Sequence, residues 1–133
     1  MRYEGILDTN LFLRYLHDGT EKDREKFRKL MEKALQSGTV FFIPSIVVIE
    51  MVYVLERVYG LSKARVREMV ESLLSLPVEI ENLDVFLKAL ALYEEENLKF
   101  GDALVLAHAR VKGIKPVYTF DRDFKRFRDV KVL

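Results

Sequence analysis

The run Val-Phe-Phe-Ile-Pro-Ser-Ile-Val-Val-Ile-Glu-Met-Val-Tyr-Val-Leu (residues 40–55) holds two structural elements and the break between them. Val40 to Ile43 is β-branched and aromatic, as in a short strand. Pro44 has no N–H for a ladder and Ser45 favours a helix start, so the strand ends there. A strongly apolar helix then runs to about Tyr59, closed by Gly60. A strand feeding directly into an apolar helix is the repeating unit of an α/β fold.

The same alternation extends in both directions. Upstream, Tyr3 to Leu7 reads as a strand, and Asp8 or Asn10 can cap a helix beginning near Leu11. Asp23 to Gln36 places Phe27, Leu30, Met31, Ala34 and Leu35 at helical spacing, with Gly38 as the stop. Downstream, Ser62 caps a helix with Val66, Met69, Val70, Leu73 and Leu74 on one face, ending before Pro77. Val78 to Ile80 is a short strand, and Asn82 or Asp84 starts a helix that reaches the acidic run Glu94 to Glu96. Asp102 to Val111 is a helix closed by Gly113. Pro116 to Phe120 is a strand, Asp121 to Phe127 a turn or short helix, and Val130 to Val132 an edge strand. The expected fold is one α/β domain over residues 1–133, a three-layer α/β/α sandwich around a short, mostly parallel central sheet.

Four carboxylates lie within the most apolar stretches of this pattern: Asp8, Glu50, Asp102 and Asp121. Removing an ionised acid from water costs several kcal/mol unless charge, hydrogen bonds or a metal compensates. Each has a simpler reading. Asp8 can be an N-cap, Asp102 a helix-start acid, Asp121 a turn residue, and Glu50 can pair with Arg57. Glu50 lies inside its helix, with Ile46, Val47, Tyr53 and Val54 as its three- and four-residue neighbours, and is expected to be largely buried. Capping therefore does not explain all four. No matching set of buried Lys or Arg accompanies them, so a shared divalent cation is the economical explanation. In parallel α/β sheets the site lies beyond the carboxyl ends of the strands, and Asp8 and Asp121 each follow a strand.

Composition removes several alternatives. The 133 residues include no cysteine, which excludes disulfides, thiolate-bound zinc, iron–sulfur clusters and a cysteine nucleophile. Glu4, Asp8, Arg14 and Asp18 interrupt the N-terminal region, so it does not read as a signal peptide. The apolar run from Val40 to Leu55 is shorter than the ~20 residues needed to cross a bilayer. A soluble, cytoplasmic protein without a membrane partner is expected. No glycine lies in a Gly-x-Gly pair or Walker loop, which argues against a nucleotide cofactor. His17 and His108 have no metal-spaced partner, and both read as structural or exposed.

Charge is uneven, although the total is only +1. From Arg110 to Leu133 eight basic residues face three acids, net +5, leaving −4 for the remainder. A basic segment beside an acidic centre suits a polyanionic substrate, although a solvated helix face and tail would look the same.

The motifs in order are Ile6-Leu7-Asp8-Thr9-Asn10, the Glu50 helix after Ile43-Pro44-Ser45, Phe100-Gly101-Asp102-Ala103, and Thr119-Phe120-Asp121-Arg122-Asp123-Phe124. Together they resemble the PIN-domain ribonucleases over nearly the whole chain, most closely the small toxins of VapBC toxin–antitoxin pairs. The resemblance implies that Asp8, Glu50, Asp102 and Asp121 form an acidic centre for Mg²⁺ or Mn²⁺. Asp123 matches an additional acid of the last motif and can otherwise be a turn residue. Asn10 and Thr119 would support the carboxylates by hydrogen bonding. The resemblance further implies RNA phosphodiester hydrolysis, a homodimer, and inhibition by a small antitoxin. Arg122, Lys125 and Arg126 are the candidates for guiding the RNA backbone. Competing readings are an RNA-processing nuclease without an antitoxin, and a non-catalytic RNA- or protein-binding module. A dehalogenase-type phosphatase fits poorly, because Asn10 stands where that family needs a second Asp.

Overall fold

The computed structural model describes residues 2–133 and divides into two compact units, Met1–Leu83 and Asp84–Leu133. In the first, strands β1 (Tyr3–Ile6), β2 (Val40–Ile43) and β3 (Val78–Ile80) form a parallel sheet in the order β1-β2-β3. Phe41 and Ile43 of the middle strand are buried. Helix α1 (Thr9–Leu13) continues as a π-helical turn (Arg14–Asp18), and α2 (Glu21–Ser37) follows. Phe12 meets the Phe27 ring edge-on, and Tyr15 stacks on Phe27 at 4.0 Å, which fixes α1 against α2.

Helix α3 (Ser45–Tyr53) and its π-helical extension (Val54–Val58) occupy the predicted span, with Gly60 at φ 69° beyond them. Val47, Val48, Met51, Val52 and Leu55 are its buried residues. Pro44 is the N-cap and offers no side-chain bond, so the free Ser45 N–H is met by Glu81 Oε1 at 2.8 Å, from the end of β3. Ser62 caps α4 (Lys63–Glu71) by accepting from the Arg65 N–H, as its position before the apolar face predicted.

The second unit contains most of α5 (Leu83–Glu95), together with α6 (Phe100–Lys112) and the parallel pair β4 (Val117–Thr119) and β5 (Val130–Val132). Helix α6 begins two residues before the predicted start. The Phe100 ring stacks on Phe86 and meets Tyr93 edge-on at 5.6 Å, drawing Phe100 into the first turn. Gly113, at φ 68°, ends the helix in the left-handed conformation that glycine adopts without a steric penalty. Between β4 and β5 a short 3₁₀ helix (Arg122–Arg126) replaces a simple turn. The strands in the two units are all parallel, in agreement with the α/β class. No helix among the described residues is long and apolar enough to cross a membrane.

Candidate functional site

In the first unit, Asp8 follows β1 at the N-cap position of α1. Its carboxylate makes no cap hydrogen bond, so capping does not account for it. The next residue, Thr9, is buried, and its hydroxyl donates to Glu50 Oε1 at 3.0 Å. Thr9 therefore ties the end of β1 to the middle of α3 and orients one of the candidate acids. Thr9 stands within the Asp8-Thr9-Asn10 motif, but its partner is 41 residues away, so no local signal in the sequence marks its role.

The expected burial of Glu50 is not observed: the residue is exposed. Of its helical neighbours, Ile46 and Tyr53 are each 59% exposed, so they extend a solvent-facing stripe and do not form a core. Apolar neighbours in sequence were a poor guide to burial because this helix also carries apolar residues on its open face. Asp8, Asp121 and Asp123 are likewise exposed, and Asp102 is half-buried. Desolvation is thus not the cost these acids impose. Nor does Glu50 pair with Arg57, the alternative partner: Thr9 is its hydrogen-bond donor.

In the second unit, Asp102 lies in the first turn of α6, and Asp121 is the N-cap of the 3₁₀ helix. Asp121 Oδ1 accepts from the Asp123 N–H at 2.9 Å, and the Thr119 hydroxyl accepts from the Asp121 N–H at 3.1 Å. Thr119 thereby holds the backbone that presents Asp121. Asp102, Asp121 and Asp123 line one cavity of about 350 Å³, together with Asn97, Lys99 and Arg126. Two of the proposed RNA-guiding residues, Arg122 and Lys125, are exposed on the 3₁₀ helix. Arg126 is turned toward Glu96, pairing with its carboxylate at 3.2 Å and donating to its backbone carbonyl.

Asn10 is exposed and lines a separate groove of about 510 Å³ with Arg14, Asp23 and Lys26. The structure gives it no bond to a candidate acid. His17 lies exposed beside the Tyr59 ring, and His108 is exposed on α6.

The carboxylates offer only oxygen donors, which suit hard cations such as Mg²⁺ or Mn²⁺. One oxygen of Glu50 and one of Asp121 is engaged by the hydrogen bonds above, leaving the other available. Exposure leaves room for the waters that Mg²⁺ retains. No three acidic or histidine side chains among the described residues are grouped tightly enough to hold an ion unaided. Mg²⁺ commonly binds through one or two carboxylates and completes its shell with waters and substrate phosphate, and the residues fit that mode.

Parallel strands followed by helices, with acids at β1, α3, α6 and β4, define a class that comparison with known proteins makes explicit. A model of the PIN domain matches residues 5–130, and the chain belongs to the PIN-domain family. The chain is 34% identical over 122 residues to the VapC ribonuclease of Aquifex aeolicus (strain VF5), covering 91% of this chain and 90% of that protein. Among solved structures, a toxin-antitoxin complex from Klebsiella pneumoniae covers 97% of both chains at 22% identity, with a TM-score of 0.37.

Proposed function

We propose that this chain is a metal-dependent endoribonuclease that hydrolyses RNA phosphodiester bonds and serves as the toxin of a toxin–antitoxin pair. The observation that carries the reading is the 34% identity to a VapC ribonuclease over nearly the whole of both proteins. Asp8, Glu50, Asp102 and Asp121 are proposed as the metal-binding and catalytic acids, with Asp123 as an additional ligand.

Within this reading Thr9 and Thr119 are positioning residues. The Thr9 hydroxyl fixes the rotation of the Glu50 carboxylate, and Thr119 fixes the backbone carrying Asp121. Lys99, in the cavity of Asp102 and Asp121, supplies a positive charge that can attract a phosphate oxygen. Arg122 and Lys125, exposed beside that cavity, would hold the RNA backbone. When bound, Mg²⁺ or Mn²⁺ would lower the pKa of a water and neutralise charge on the leaving oxygen. A small antitoxin and a second copy of the chain are the proposed protein partners.

Incubation of the purified chain with single-stranded RNA tests the activity. Cleavage is expected with MgCl₂ or MnCl₂ and is expected to stop on adding EDTA. Undiminished cleavage in EDTA would contradict the metal assignment. Absence of cleavage under every divalent cation would favour a binding module.

A further inference from the structure

A second cavity of about 570 Å³ lies in the same unit, at the opposite end of α6 from Asp102. Arg110, Lys115, Arg126 and Arg128 contribute four cations to its lining, and Asp129 is its one acid. Phe127 forms an aromatic wall flanked by two guanidinium groups, with Arg126 4.7 Å and Arg110 5.5 Å from the ring centroid. These contacts hold Arg110 and Arg126 against the ring as fixed walls of the cavity.

Two of the cations are already partly satisfied. Arg110 forms a two-pronged pair with Asp129 at 3.0 and 3.3 Å, and Arg126 pairs with Glu96. Lys115 and Arg128 are exposed and form no ion pair among the described residues, Lys115 acting on Asp129 only through a longer-range attraction. The cavity therefore retains positive charge that its own acid does not cancel. Arg126 also lines the acidic cavity of Asp102 and Asp121, making it a shared wall. Asp102 and Arg110 are eight residues apart on α6, roughly 12 Å along the helix axis.

We infer that this basic cavity is a second RNA subsite, receiving a backbone phosphate of the same strand whose scissile bond lies at the acidic cavity. Lys115 and Arg128 carry the contact, and Arg126 sets the direction between the two cavities. The flat guanidinium of Arg128 suits phosphate oxygens, and both cations release counterions on binding. The inference rests on the reading of the chain as a protein that acts on RNA.

The test measures binding of a fluorescent single-stranded RNA of about 20 nucleotides to the full chain at several salt concentrations. An Asp102→Asn background prevents cleavage during the measurement. Adding Lys115→Gln and Arg128→Gln is expected to weaken binding roughly tenfold at low salt. It should also reduce the slope of log affinity against log salt by about 1.4, from ~0.7 for each phosphate contact on a single strand. Lys22→Gln with Lys29→Gln, exposed on α2, removes the same net charge and should change the slope far less.

Unchanged affinity and slope would overturn the subsite, as would an equal effect of the α2 pair. Loss of poly-glutamate binding in the Lys115/Arg128 variant, with RNA binding intact, would reassign the cavity to an acidic protein segment and also overturn it. Failure of the ribonuclease reading is seen separately, as absence of divalent-dependent cleavage by the unaltered chain. Reduced RNA binding in the variant would then keep the phosphate contact at the basic cavity and overturn only its placement beside a scissile bond.

Discussion

Glu50 is held through a single hydroxyl, that of Thr9, and this makes Thr9 an informative residue to alter. Thr9→Val keeps the shape and burial of the side chain and removes only the donor. Cleavage is expected to fall by about 10–100-fold, the usual effect of losing a supporting partner at a metal site, while the circular dichroism spectrum stays unchanged. Cleavage at the unaltered rate would show that Glu50 needs no such anchor. Gly19 carries a different constraint: an added Cβ would lie 2.1 Å from the Arg14 carbonyl oxygen. Gly19→Ala is expected to destabilise the fold by about 1–3 kcal/mol in urea titration, as overpacking commonly does. Neither role was legible from the sequence, because both depend on which atoms approach across a turn or between elements. The candidate acids could be read by position, but their exposure could not. Ile46 and Tyr53 look like core in sequence and lie at the surface.

Helix ends were more legible than helix faces. Ser62 and Gly113 perform the capping roles their positions suggested, since caps depend on local chemistry. The start of α2 is set by a reciprocal capping box, in which Thr20 accepts from the Asp23 N–H and Asp23 accepts from the Thr20 N–H. The apolar spacing predicts a start at Asp23, two residues late, because the polar pair does not register in that spacing. Thr20→Ala should cost about 1 kcal/mol of stability, measurable as a lower urea midpoint. The Thr20 backbone hydrogen bond holds the Asp23 carboxyl below its ordinary range, and the hydrogen bond from Arg110 does the same for Asp129. A carboxylate with a lowered folded pKa contributes stability that is complete above its unfolded value, near pH 4. That stability is lost as pH falls through the lower folded value. Thermal stability should therefore decline below about pH 4, and Asp129→Asn should reduce the part of that decline owed to Asp129. An acid profile unaltered by Asp129→Asn would remove the Arg110 pair from the account.

At the scale of the whole molecule, alternating short strands and helices were enough to give the α/β class, because each element carries its own periodicity and stop signals. The partition of the strands was not available from those signals. The sequence predicts a short, mostly parallel sheet, and the structure records parallel strands throughout, three paired in one unit and two in the other. Strand pairing is decided by contacts distant in sequence, which local patterns do not encode. The family match spans both units, from residue 5 to residue 130, a range that contains all four acids. The central claim is that these acids act on RNA through a divalent cation. The most direct measurement compares Mg²⁺-dependent RNA cleavage by the unaltered chain with that of Asp8→Asn and Asp102→Asn, one from each unit. The account predicts that each variant keeps its circular dichroism spectrum and melting temperature but loses divalent-dependent cleavage. Cleavage retained in both folded variants would contradict it.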